Sequence, residues 1–292
     1  MEKHKAERKG RDDLLPLWVA DMDFQLPEEI LADFRSRIDH GIFGYTDPDQ
    51  EYFDALDHWF FTRHGYHVDR ETVTVGCGVV YGLATGVKAF TKEGDAILIQ
   101  QPVYYPFREV ILPASGLWTR NTRTAWLYTS PSKTFNVAGF QPANIIIQNQ
   151  KLRKAYRKAN AAAGYSQGNI MGQVAVKTVY TKGARWVDEL LEYLTGNMEY
   201  MRTFVKENFP KAHFVEPEGT YLTWVDFSGY GFTDEELEHL MVEEAKLWLD
   251  SGKVFGPETA QFERFNLACP RATVVKAMEQ LKAALDVHVR WN

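Results

Sequence analysis

The chain has 292 residues, of which 45% are hydrophobic and 14% aromatic, as is typical of a globular protein with a well-covered core. Its net charge of −6 gives no basic footprint for nucleic acid, and no apolar run is long enough to span a membrane. The two cysteines, Cys77 and Cys269, form neither a disulfide framework nor a metal-binding spacing. The polar N-terminus does not resemble a signal peptide, so the cytoplasm is the expected compartment.

Hydrophobic periodicity and turn residues predict alternating strands and helices in the first part of the chain and a different pattern in the tail. In chain order they predict helices over 27–38 and 50–64, strand 72–75, helix 79–90, strands 96–100, 125–128 and 145–147, a basic helix over 151–158, a long helix from 186 to Pro210, strand 220–227, helix 233–248, strand 264–269 and a last helix over 275–285. The first part therefore predicts an α/β core, and the tail predicts a separate α+β domain.

Two features near the start of the chain stand out. The apolar segment 15–24 carries two acids, Asp21 and Asp23. The loop 41–49 carries Tyr45, whose hydroxyl has room to project because a glycine precedes it.

A glycine turn, Gly76-Cys77-Gly78, joins strand 72–75 to helix 79–90. A strand, a glycine turn and a helix N-terminus can together hold a phosphate through backbone amides. The match is to this physical arrangement and falls short of a full dinucleotide fingerprint.

The next predicted strand, 96–100, has a composition typical of a strand that is buried on both faces. Tyr104 follows its end. An aromatic ring at that place could stack on a planar cofactor, or it could simply pack within the loop.

The loop after strand 125–128 carries Ser130, Ser132 and Lys133. Loops at strand ends of open α/β sheets collect ligands. A lysine held there by apolar walls can lose its proton and form a Schiff base, and the two hydroxyls can donate to a phosphate. This pairing suggests pyridoxal phosphate (PLP), although the same residues also fit a surface turn with a solvated lysine.

Seven segments follow one another along the chain: WVADMDF, HGIFGYT, GCGVVYGL, QPVYYPF, SPSKTFNVAGFQ, PEGTYLTWVDF and RFNLACPR. Together they resemble the PLP-dependent class I/II aminotransferase-like family of fold type I, and within it the cystathionine β-lyase, or carbon–sulfur lyase, branch. The resemblance covers nearly every segment from Leu15 onward. It implies an α/β large domain with a mainly parallel sheet and a smaller α+β domain.

The resemblance also implies roles for the cofactor-binding residues. Lys133 would hold the PLP aldehyde covalently and would then move the α-proton of the substrate. Ser132, the backbone amides of Gly78 and Val79, and Ser130 would hold the phosphate.

Other matched residues would complete the site. Tyr104 would stack on the pyridine ring, and Tyr45 would reach the phosphate of a neighbouring subunit, which implies a homodimer. Arg271 would clamp the substrate carboxylate, although alone it would fit a surface ion pair, and Asp21 is a further candidate for substrate binding. Gln141 stands where many aminotransferases carry a phosphate-binding arginine, and this departure favours the lyase branch.

The implied reaction is the α,β-elimination of a sulfur amino acid to pyruvate, ammonia and a thiol. An aminotransferase of the same family is an alternative, because transamination and elimination share most residues. A degenerate, non-catalytic protein of the PLP fold is another alternative.

The sequence departs from the family after Ile111. The family continues there for on the order of a hundred residues, with an NPxG-type motif and a DEIH-type motif that this sequence lacks. The aspartate of the second motif normally pairs with the pyridine nitrogen, and the strands of the segment lie near the middle of the family's sheet.

We therefore expect a gap near residues 111–119 and a large domain unlike the usual one. Two explanations compete. One is a segment missing from the sequence, which we favour because the flanking motifs are intact, and the other is a natural deletion with a rearranged sheet and no turnover.

The expected organisation has three parts. Residues 1–45 would pack on the small domain, residues 46–185 would form the large PLP-binding domain, and residues 186–292 would form a linker helix and the C-terminal small domain.

Overall fold

The computed structural model describes residues 10–111, 116–117, 126–165 and 167–289. The chain divides into two compact units. The small unit contains residues 10–24 and 190–289, and the large unit contains the described residues between 25 and 189. Residues 25–45, which were expected to pack on the small domain, fall within the large unit.

The described residues form α-helices that we number in chain order: α1 Glu28–His40, α2 Gln50–His64, α3 Val79–Phe90, α4 Pro106–Ile111, α5 Gln150–Ala162, α6 Ile170–Lys182, α7 Ala184–Asn208, α8 Asp234–His239 and α9 Arg271–Val289. No helix in these described ranges is both long and apolar enough to cross a membrane.

The strands are numbered in the same way: β1 Leu15–Pro16, β2 Val73–Gly76, β3 Gly94–Asp95, β4 Gly116–Leu117, β5 Trp126–Thr129, β6 Ala143–Ile147, β7 His213–Val215, β8 Leu222–Asp226, β9 Leu247–Trp248, β10 Asp250–Ser251 and β11 Phe262–Asn266.

The large unit is built on a three-stranded sheet in the order β2-β6-β5. All five residues of the central strand β6 are buried, and both of its neighbours run antiparallel to it. In the large unit, the parallel pairing expected of the sheet is confined, among described residues, to the two-residue pair β3-β4. Helices α1, α2 and α6 cover one face of the sheet through a core that includes Leu56, Phe135 and Val176.

The strand predicted over 96–100 is wrong. Strand β3 ends at Asp95, and the Leu98 side chain is 73% exposed. Within the described residues β5 pairs with β6 alone, so residues 96–100 find no neighbouring strand to take their backbone hydrogen bonds. A mainly apolar cavity of about 410 Å³ lies between residues 97–100, helix α3 and strand β5.

The gap expected near residues 111–119 falls mostly outside the described residues. Apolar residues on both sides of it are exposed. Leu127 of β5 is 41% exposed, and Leu98 is more exposed still. Two apolar segments therefore lack the cover that a strand normally receives from its neighbours.

The small unit has a four-stranded antiparallel sheet in the order β10-β11-β8-β7 and a separate parallel pair, β1-β9. Its core includes Val225, Phe265 and Leu281, none of which is exposed.

The helix predicted over 233–248 is wrong beyond Glu244. It begins with a capping box of Thr233 and Glu236, but after α8 the chain widens into a π-turn, Leu240–Glu244. Lys246 then adopts a φ of 56°, which ends the helix and directs the chain into β9.

Polar side chains of β11 hold the N-terminal segment 17–23. Arg264 Nη2 donates to the Trp18 carbonyl at 2.8 Å. Asn266 Nδ2 donates to the carbonyls of Val19 and Asp21, both at 2.6 Å, and its Oδ1 accepts from the Ala268 amide at 2.8 Å. Because Asn266 is buried, its three hydrogen bonds are protected from water and fix the course of this segment.

We predict that Leu98→Asp changes the free energy of unfolding by no more than about 0.5 kcal/mol, because the side chain is already in water. Ile145→Ala, in the buried strand β6, should cost about 2–5 kcal/mol. Urea denaturation of both variants checks this. A loss above about 2 kcal/mol for Leu98→Asp would mean that residues 96–100 form a buried strand after all.

We predict that Asn266→Ala lowers the free energy of unfolding by about 2–3 kcal/mol, because two carbonyls and one amide lose their partner. The control is Asn208→Ala, which removes one bond to the Phe204 carbonyl at a helix end and should cost about 1 kcal/mol or less. Equal losses in a thermal or urea melt would contradict the role given to Asn266.

Candidate active site

Two loops of the large unit leave the same end of the sheet. Gly76, the last residue of β2, pairs with Ala143, and Thr129, the last residue of β5, pairs with Asn144. Both partners lie at the start of β6. The turn after β2 and the loop after β5 therefore begin on either side of one strand, about 10 Å apart.

The turn after β2 requires glycine at position 78. Gly78 has a φ of 113°, which a side chain would strain, and it immediately precedes α3. A Cβ atom built there meets no described atom within 4 Å, so open space lies beside the helix start. The first amides of a helix have no intrahelical acceptor, which makes Gly78 and Val79 suited to binding an anion.

The two serines after β5 have different roles. Ser130 Oγ donates its proton to the Pro142 carbonyl at 2.6 Å and also contacts Ser132 Oγ. Because a hydroxyl has one proton, the contact between the serines uses the proton of Ser132. Ser130 therefore stabilises the loop through its bond to Pro142. The Ser132 hydroxyl is bonded only to Ser130 among the hydrogen bonds described for it, so it can rotate toward a phosphate.

Lys133 lies in the turn that follows these serines. Phe135 and Val137 anchor the turn in the core, and the Lys133 side chain is exposed. This exposure does not match the enclosure by apolar walls that we expected for its amine.

Tyr104 and Tyr45 both lie outside regular structure. Tyr104 is 47% exposed and packs against Tyr105 and Phe107, with ring centroids 5.2 and 6.0 Å away. Because residues 96–100 do not join the sheet, the sheet does not fix the position of Tyr104. Tyr45 is 98% exposed, beside the exposed Ile42 and Phe43.

In the small unit, Arg271 is the first residue of α9. Its Nε donates to Asn197 Oδ1 at 2.7 Å, its backbone amide donates to the Tyr193 hydroxyl at 2.7 Å, and its guanidinium lies 5.1 Å from the Tyr200 ring centroid. Within the described part of the chain Arg271 forms no ion pair, so the surface ion pair considered for it is not seen.

The three α7 residues that contact Arg271 were missed in the sequence. Tyr193, Asn197 and Tyr200 are spaced by four and three residues and therefore share one helix face. That spacing was the signal in the sequence that could have pointed to a shared binding surface, but the same spacing is also found on ordinary solvated helix faces.

Asp21 has an exposed side chain, while its carbonyl is held by Asn266. Burial, and then the charge of Asp21, raise the pKa of the nearby Asp23 carboxyl. Burial, and then the charge of Asp23, raise the pKa of the Cys269 thiol to about 12. Cys269 therefore stays neutral at physiological pH and does not act as a nucleophile.

Comparisons with known proteins agree with this fold. The chain is 31% identical to the protein named cystathionine beta-lyase PatB of Bacillus subtilis, over 96% of this chain and 95% of that protein. It superposes on cystalysin from Treponema denticola, whose structure contains pyridoxal 5'-phosphate, with a TM-score of 0.87, 24% identity and coverage of 98% and 94% of the two chains. The PLP-bound C-S lyase from Staphylococcus hominis gives a TM-score of 0.85 at 25% identity, covering 94% of each chain. The predicted fold class is confirmed.

The same comparisons confirm the internal gap. The alignment with the Bacillus protein has 367 positions, against 292 residues here, so at least 75 positions hold no residue of this chain. The family of class I and II aminotransferases matches in two pieces, residues 12–124 and 113–281, which overlap within the region where the segment is missing. The chain belongs to the class I and II aminotransferase family, and it lacks an internal segment that its relatives carry.

Proposed function

We propose that the protein is a PLP-dependent carbon–sulfur β-lyase that converts a sulfur amino acid of the cystathionine type into pyruvate, ammonia and a thiol. One observation carries the proposal: the glycine turn at Gly78 and the loop with Ser132 and Lys133 leave one end of the sheet together. The identity of 31% to a protein named cystathionine beta-lyase supports the choice of reaction.

The residues present fit the phosphate end of PLP. Gly78 leaves open space beside the start of α3, and the Ser132 hydroxyl can turn to an anion. At the ring end, the sequence lacks the aspartate motif that pairs with the pyridine nitrogen in the family. We therefore expect PLP to be held through its phosphate and Lys133, with weaker support for its ring.

When bound, PLP supplies an electron sink that makes the α-hydrogen of an amino acid acidic. Lys133 Nζ would take that proton from Cα, and the Cβ–S bond would break with its electrons remaining on sulfur. Arg271 would hold the α-carboxylate of the substrate and so restrict how the amino acid can rotate. Tyr104 would stack on the ring, and Asp21 would border the substrate.

Elimination is favoured over transamination by the nature of the relatives and by Gln141. The Bacillus and Staphylococcus proteins are named as lyases. Gln141 is exposed at the end of a short helical turn after the Lys133 loop, and it carries no positive charge for a phosphate.

We further propose that the protein acts as a cytoplasmic homodimer. Ile42, Phe43 and Tyr45 place three largely exposed apolar or aromatic side chains in one loop, a grouping that suits contact with a second copy. Both cysteines are free, which suits a reducing compartment. Tyr45 would then reach the phosphate site of the partner.

We predict that PLP added to the purified protein gives a visible absorbance band that borohydride fixes covalently on Lys133, as peptide mass mapping would show. Lys133→Ala should abolish this labelling and reduce pyruvate release from cystathionine by at least about 1,000-fold, because the group that moves the proton is lost. The control is Lys151→Ala, at an exposed position of α5, which should label and react normally.

Three outcomes would contradict the proposal or a part of it. Covalent labelling without any turnover would indicate the non-catalytic alternative. Amino-group transfer without pyruvate would indicate an aminotransferase. Labelling of another lysine would reject the role of Lys133.

We predict that the double variant Ile42→Ser and Phe43→Ser converts the dimer into a monomer in light scattering, and that Tyr45→Ala weakens PLP binding about tenfold by removing one phosphate donor. Val254→Ser is the control, because Val254 is similarly exposed but lies in the small unit. A wild-type protein that is monomeric at all concentrations would contradict the proposal.

A further inference from the structure

Gly196 lies in the middle of α7, where glycine is less favourable than alanine. A Cβ atom at this position would lie 3.0 Å from Arg271 Nη2. That distance is too short for comfortable contact, so an alanine would displace the guanidinium by a few tenths of an ångström. The glycine is thus explained by the space that the Arg271 side chain occupies.

The next residue, Asn197, fixes the same guanidinium from a buried position. Its Nδ2 donates to the carbonyls of Leu267 and Cys269, both at 2.9 Å, and the residue has no exposed surface. Since both amide protons are used on carbonyls, its oxygen must face Arg271 Nε. The orientation of the amide is therefore determined by the backbone ahead of α9.

Among the described residues, these contacts leave one edge of the guanidinium without a hydrogen-bond partner. Nε faces Asn197, Nη2 packs against Gly196, and Tyr200 lies against the guanidinium. The remaining edge, formed by the outer protons of Nη1 and Nη2, can hold a carboxylate through two parallel hydrogen bonds.

We propose that Gly196 and Asn197 are positioning residues that set the rotation of the Arg271 guanidinium, so that its Nη1–Nη2 edge takes the α-carboxylate of the amino-acid substrate. This inference rests on the substrate role proposed for Arg271. Gly196 provides the space and Asn197 provides the fixed acceptor, and neither residue touches the substrate.

Gly196→Ala separates this role from a purely structural one. Alanine is the better helix former, and its methyl group meets only the tip of a flexible side chain, so the melting temperature should be equal to or above that of the wild type. Binding of L-alanine, which has the α-carboxylate but no leaving group, should weaken about tenfold in calorimetry on the PLP-loaded protein. Binding of ethylamine, which lacks the carboxylate, should not change.

Two further variants complete the test. Thr195→Ala improves the same helix without approaching Arg271 and should bind L-alanine as the wild type does. Asn197→Ala should weaken L-alanine binding and also lower the melting temperature, because the carbonyls of Leu267 and Cys269 lose their donor.

The outcomes distinguish this inference from the lyase proposal. Unchanged L-alanine binding by Gly196→Ala would overturn the inference even if the wild type releases pyruvate. Weakened binding by this variant in a protein that releases no pyruvate would support the inference and reject the lyase. A wild type that binds L-alanine no better than ethylamine would overturn the role of Arg271 and the inference together.

Discussion

The position of both loops in the candidate site depends on strand β6. Because β6 runs antiparallel to both neighbours, its first residues lie beside the last residues of β2 and β5. The start of β6 is itself fixed by a buried hydrogen bond, in which the Tyr52 hydroxyl donates to Asn144 Oδ1 at 2.6 Å. Burial raises the pKa of Tyr52, so this donor keeps its proton at any physiological pH. This polar contact inside the core therefore helps to hold the start of β6, beside which the glycine turn and the Lys133 loop begin.

Local signals made most helices predictable. Asp49 accepts from the Tyr52 amide at the start of α2, and Gly65 ends that helix with a φ of 65°. These signals lie within a few residues of the helix end and do not depend on the rest of the fold. The strand prediction for residues 96–100 fails because it depends on a distant part of the chain. A strand needs a neighbouring strand, and composition cannot show that this neighbour is missing.

The same distinction applies to the candidate site. The glycine turn and the Ser-Pro-Ser-Lys loop are each continuous in sequence, so their chemistry could be predicted. The exposure of Lys133 could not, because the walls of a pocket come from other segments. The contacts that hold Arg271 were also missed. They join one face of α7 to the chain at and just ahead of the start of α9, which lies some seventy residues further along the sequence.

Strand β5 has a partner on one side only within the described residues, and its Leu127 is partly in water. A bare strand edge flanked by apolar side chains is a template for pairing with other unfolded or half-folded chains. We therefore expect this edge to be the part of the described large unit to which a second chain adds a strand most readily, so that aggregation during refolding would begin at β5.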